Sequence, residues 1–162
     1  MTPRHRLVLA LACTAQFMVV LDVSVVNVAL PSVQADLAIV PADLQWIVNA
    51  YALTFGGLLL LGGRLADLYG LRRTVIAGLA LFTLASLAGG LAEDPWTLIA
   101  ARAFQGAGAA VLAPATLTML TTTFDEDLRP RVLAAWTAVG LAGGTAGNLI
   151  GGVLTDALSW RW

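Results

Sequence analysis

Residues 7–30 read LVLALACTAQFMVVLDVSVVNVAL, an apolar run with one acid, Asp22, inside it. About 20 apolar residues in a helix cross the roughly 30 Å of hydrocarbon in a bilayer. This run is long enough, and four more follow it, at 44–65, 74–92, 96–120 and 132–154. Arg4 and Arg6 precede the first run, as in a signal peptide, but its length, Asp22 and Asn27 do not suit one, and no small-residue cleavage site follows. The breaks carry turn chemistry: Pro31 and Pro41, Gly62-Gly63 and Gly70, Glu93-Asp94-Pro95, and Asp125 to Pro130. No run alternates with period two, as a membrane barrel requires. The expectation is an all-α integral membrane bundle with five transmembrane helices.

Composition agrees. Of 162 residues 59% are hydrophobic and 12% charged, and the mean hydropathy is +0.83. A soluble domain carries about twice that charge, and a disordered chain is still more polar. The net charge of −1 offers no field for nucleic acid. Cys13 is the single cysteine, so neither an intrachain disulfide nor a thiolate metal cluster is available. An enzyme would need a nucleophile, a metal cluster or paired acids at one depth; Asp22 is the only acid inside a run, and His5, the sole histidine, lies in the N-terminal tail.

Arginine sets the orientation. With the N-terminus in the cytoplasm, the inner face holds Arg4, Arg6, Arg64, Arg72, Arg73, Arg129 and Arg131, and the outer face only Arg161. Outer connections instead carry Asp36, Asp43, Glu93, Asp94 and Asp156. That bias is the positive-inside pattern. The closing Ser159-Trp160-Arg161-Trp162 resembles the flank of a membrane segment, which predicts a sixth helix beyond it. Residues 1–162 then read as the N-terminal part of a longer domain, truncated before helix six.

Two charges sit deep in the runs, Asp22 in the first and Arg102 in the fourth. Each costs roughly 2.5–3.5 kcal/mol at a helix centre on insertion scales. Asp22 lies about 22 Å from the inner end of its run, and Arg102 about 9 Å from Trp96 at the outer end of its own. Both therefore fall at similar depth in the outer half. They read either as a functional pair lining a polar cavity or as a structural ion pair locking two helices. In hydrocarbon a carboxyl keeps its proton, whereas beside a guanidinium it keeps its charge. The occupant of the cavity can then switch the proton on or off Asp22.

Further polar residues extend a cavity face. Gln16 and Asn27 are about 20° apart around helix one. Asn49 and Tyr51 crowd helix two, with Trp46 near the interface, where taken alone it reads first as an anchor and second as cavity lining. Gln105 follows Arg102 by three residues, on nearly the same face. In the fifth run Gly143-Gly147-Gly151 and Gly140-Gly144-Gly152 form two stripes at four-residue spacing, Asn148 filling the gap in the second. Such stripes let helices approach closely, as a static contact or as a sliding seam. Pro114 should kink the fourth helix.

The stretch Gly63-Arg64-Leu65-Ala66-Asp67-Leu68-Tyr69-Gly70-Leu71-Arg72-Arg73 resembles the signature loop of the major facilitator superfamily. Gly63, Asp67, Gly70, Arg72 and Arg73 match, while Leu68 and Leu71 replace positions usually basic. Asp67 can pair with Arg72 or Arg73, or with a helix N-terminus. Leu21-Asp22 through Asn27 to Pro31 resembles the helix-one motif of the fourteen-helix drug:proton antiporter branch. Arg102-Ala103-Phe104-Gln105-Gly106 is similar to its helix-four motif, whose arginine the family implicates in proton coupling. Gly143 with Gly147-Asn148-Leu149-Ile150-Gly151-Gly152 resembles its helix-five antiporter motif, with asparagine where that motif has proline. Trp46, Tyr51 and the closing Trp160-Arg161-Trp162 fit the same branch.

The resemblance covers residues 16–162. It implies that helices one and four are neighbours in a six-helix half, and that two halves rock in alternating access. The function it implies is proton-driven efflux of a small hydrophobic or cationic drug across the plasma membrane, without a cofactor. The partners are then the bilayer, protons, the substrate and the missing C-terminal half. The alternatives are a carrier of the same superfamily for another metabolite, or a non-transporting membrane subunit.

Overall fold

Four of the five helices begin with proline in their first turn, where its missing N–H loses no helical bond and its fixed φ suits the start. The computed structural model describes residues 1–161, and Trp162 lies outside them. The helices are α1 (Pro3–Asp36), α2 (Pro41–Tyr69), α3 (Leu71–Gly90), α4 (Pro95–Thr123) and α5 (Arg129–Ala157). All five are long and apolar enough to cross a membrane. Asp94 caps α4 by accepting from the Thr97 amide at 2.9 Å. The Thr97 hydroxyl and then this amide hold the Asp94 carboxyl below the usual carboxylate range.

Every helix outruns its apolar segment by several residues at one or both ends. Hydropathy marks the hydrocarbon-crossing part only, whereas helical hydrogen bonding continues where polar side chains meet water. Two expected breaks therefore lie inside helices. Pro31 sits within α1, which runs on to Asp36, because proline removes one backbone bond and the rest persist. Gly62-Gly63 lies within α2, and Gly70 alone separates α2 from α3. Gly70 has φ +83°, a conformation that favours glycine. The Thr74 hydroxyl ties this corner by donating to the carbonyls of Gly70 at 3.0 Å and Leu65 at 3.2 Å.

α4 is the most buried helix and packs broadly on α2 and α3, while α1 packs broadly on α5 and more narrowly on α4. Small residues permit this. Gly140, Gly143, Gly147 and Gly151 lie in order against Gln16, Phe17, Leu21 and Val25, so α1 and α5 run parallel. A Cβ at Gly147 would fall 2.6 Å from Ser24 Cβ and 2.7 Å from the Leu21 carbonyl oxygen. The second stripe starts on α1 and drifts off it: Gly140 faces Gln16 and Gly144 makes ordinary contacts with Val20 and Ser24, but Asn148 is exposed and Gly152 has nothing within 4 Å. Each four-residue step advances about 40° around a helix, which carries the far end of the second stripe off α1.

The core is built in three levels along the bundle. Ala12, Leu120, Phe124 and Val132 fill one end. Val19, Tyr51, Phe82, Ala109 and Leu112 fill the middle. Ala29, Val33, Ile47 and Leu98 fill the other end, with Trp160 packed on them. Leu60, Leu91, Leu141 and Leu149 project outward, as lipid-facing residues do.

Candidate functional site

The α1–α4 contact carries both intramembrane charges. Arg102 Nη1 donates to Asp22 Oδ2 at 2.6 Å and to Gln105 Oε1 at 2.8 Å. Gln105 Nε2 donates to Asp22 Oδ1 at 2.9 Å, so both carboxylate oxygens are engaged. Arg102 Nε donates to the Ile47 carbonyl of α2 at 3.4 Å. The guanidinium carbon lies 4.4 Å from the centre of the Tyr51 ring. Arg102 and Gln105 are each 3% exposed, and the Asp22 side chain 14%.

The helix period explains the assembly. Arg102 and Gln105 are three residues apart and project from one face of α4. Gly106, on the next step, lets α2 come close, since a Cβ there would collide with Thr54 Oγ1 and the Tyr51 carbonyl. That approach sets the Tyr51 ring beneath Arg102 and the Ile47 carbonyl beside it. The arginine fork does not straddle the carboxylate: Nη1 alone meets Asp22, and the rest of the group is held by Ile47 and Tyr51.

Two cavities adjoin the network. A groove of about 510 Å³ between α1, α2, α4 and α5 is walled by Gln16, Val20, Tyr51, Phe55, Pro114 and Trp136. Tyr51 and Phe55 stack at 6.0 Å between ring centres. The Tyr51 hydroxyl and Trp136 Nε1 are buried with no hydrogen-bond partner among the described residues. Tyr51 thus stands between the charged network and an apolar groove. The second cavity, about 120 Å³, has Asp22, Arg102 and Gln105 at one end and Trp160 and Arg161 at the other.

Asp22, Arg102, Gln105 and Tyr51 therefore converge; Gln16 meets only Tyr51 of these, on the wall of the large groove, and Asn27 borders a smaller groove that also touches Tyr51 and Arg102. Asn49 and Trp46 do not join them. Both are exposed on α2, and the two-residue step from Asn49 to Tyr51 turns about 200° around the helix. Asp67 pairs with Arg64 at 3.8 Å rather than with Arg72 or Arg73. Residues 63–69 are helical, so the partner three positions back is the one in reach. Arg72 and Arg73 are exposed at the start of α3. α4 continues as helix through Pro114, whose ring borders the large groove.

Sequence reading passed over Trp136 and the Asp36–Arg161 pair at 2.9 Å. Trp136 is one aromatic among apolar neighbours, and nothing local marks it. Asp36 and Arg161 are both polar flanks of apolar runs, which is the usable signal for a pair across one bundle end.

The family model described as Major Facilitator Superfamily matches residues 12–162. The cephamycin export protein CmcT of Amycolatopsis lactamdurans is 65% identical over 154 residues, which are 94% of this chain and 32% of that protein. The puromycin resistance protein pur8 of Streptomyces alboniger is 51% identical over 161 residues, 99% of this chain and 32% of that protein. The lincomycin resistance protein of Streptomyces lincolnensis is 41% identical over 152 residues, covering 91% and 30% respectively. The chain spans about a third of the length of these curated relatives.

Proposed function

The chain belongs to the Major Facilitator Superfamily, and from that premise we propose that it serves in proton-coupled efflux of a small apolar or cationic drug by alternating access. The observation that carries this reading is the buried Asp22–Arg102–Gln105 network set against an apolar groove through Tyr51. Asp22 is the proton site, Arg102 its charge partner and Gln105 the second hydrogen-bond partner of the carboxylate. The groove takes the drug. No cofactor enters, because the proton gradient supplies the driving force.

The energetics are of the right size. A proton on Asp22 cancels the charge that Arg102 faces. Leaving a buried charge unpaired is worth about 3–5 kcal/mol. Moving a two-state equilibrium from 1:99 to 99:1 takes about 5.5 kcal/mol. Gln105, Ile47 and Tyr51 still hold the guanidinium, so the effective shift is at the lower end. It remains enough to turn a minor conformation into a well-populated one, with the drug's own binding making up the difference.

The arginine distribution supports an N-terminus in the cytoplasm of a plasma-membrane protein. The counterpart in the rocking motion is a second helical bundle, for which the relatives' roughly threefold greater length leaves room. Export and resistance in the relatives' names support a drug as cargo rather than a nutrient. A counterflow assay in proteoliposomes tests the class of cargo. We expect exchange of a labelled lipophilic cation or apolar antibiotic; exchange of a sugar or organic acid with none of a drug would refute the reading.

A further inference from the structure

We propose that Arg161 gates a water route to Asp22 from the end of the bundle that carries Asp36. This inference rests on the proton role of Asp22 and adds a residue that controls access to it. Beyond Ala157 the chain folds back over the ends of α1 and α3. Arg161 Nη2 donates to Asp36 Oδ2 at 2.9 Å, and Trp160 Nε1 donates to the same oxygen at 2.9 Å. Arg161 Nη1 donates to the carbonyls of Gly90 and Ala92, at the C-terminal end of α3. Its guanidinium lies 4.5 Å over the Trp160 ring. One side chain thereby joins the C-terminal ends of α1 and α3, where helix dipoles favour a cation.

Beneath this clasp lies the cavity of about 120 Å³, with Val33, Ile47 and Leu98 as walls. Its volume is well above the roughly 10–15 Å³ that one water needs. The carboxylate at its base is the acid that must exchange a proton with one aqueous side at a time. The guanidinium at its mouth is a fixed positive charge, and such a charge raises the barrier to an entering proton. The Arg161 and Asp36 side chains are 32% and 48% exposed. An ion pair that wet is weak, which suits a clasp that must open in every cycle. Gly90 fits the same role: a Cβ there would stand 2.9 Å from the Arg161 carbonyl oxygen.

Access can be read directly. Ala29 is 3% exposed and lines the cavity, so Ala29→Cys, with Cys13→Ala, makes it a reporter in the membrane-embedded protein. A small cationic methanethiosulfonate is added from the Asp36 side. We expect slow modification, and modification about tenfold or more faster in Arg161→Gln and Asp36→Asn, since a minor open state of 0.1–10% becomes the main one. Gly90→Ala should do the same while leaving both charges in place. A second reporter, Val20→Cys in the large groove, should keep its rate. Unchanged rates at Ala29→Cys, or equal acceleration at both reporters, would overturn the gate. Labelling reads access alone, so failure of the proton role would appear instead as gradient-driven transport by Asp22→Asn with the labelling pattern intact.

Discussion

Arg102 of α4 meets Asp22 of α1 through a single nitrogen, Nη1, at 2.6 Å. The same nitrogen also serves Gln105, while Nε is turned to the Ile47 carbonyl and the flat of the group covers Tyr51. The pair is therefore one arm of a clamp that gathers α1, α2 and α4 at one depth. Removing the charge of Asp22 frees one arm and leaves the others, which suits a switch better than a lock.

Arg102→Lys follows from that geometry. An ammonium can still reach Asp22, but it is a compact point charge that loses the flat cover on Tyr51 and the Ile47 contact. We expect the variant to insert and to bind drug, yet to transport several-fold more slowly with an altered dependence on pH. Transport of a fluorescent drug across a series of imposed pH gradients checks this. A wild-type pH profile would refute the role of Arg102.

The two glycine stripes of α5 should behave differently. Gly147→Ala places a methyl 2.6 Å from Ser24 Cβ and should cost about 1–3 kcal/mol as overpacking. Gly152→Ala, with nothing within 4 Å, should stay within about 0.5 kcal/mol. Thermal unfolding of the detergent-solubilised protein separates them. Equal losses would contradict the α1–α5 register.

Gly70 and Asp67 sit in the same signature stretch and should part in the same assay. Gly70→Ala forces a side chain into φ +83°, at roughly 1–2 kcal/mol. Asp67→Asn removes an exposed pair with Arg64, worth about 0–1 kcal/mol. A large stability loss from Asp67→Asn alone would show that the carboxylate has a partner besides Arg64.

Depth and period made much of this arrangement legible before any coordinates. Rise per residue put Asp22 and Arg102 at matching depth, and spacing put Gln105 beside Arg102. Composition alone gives a membrane bundle. Which way a helix turns its polar residues is harder to read. Asn49 reads as a cavity residue because it stands beside Tyr51 in sequence, yet rotation carries it to the outer face of α2, where Trp46 also lies, as an interfacial anchor would. Asp67 was offered the wrong arginines because the helix runs on past the apolar segment. The Asp36–Arg161 clasp joins positions 125 apart, and only the packing of three helix ends brings them together.

The central claim is that Asp22 carries the proton that drives transport. In proteoliposomes under an imposed pH gradient, drug accumulation by the wild type and by Asp22→Asn tests it, with insertion of both verified. The account predicts gradient-dependent accumulation by the wild type and none by Asp22→Asn. Gradient-driven accumulation by Asp22→Asn at the wild-type rate would contradict it.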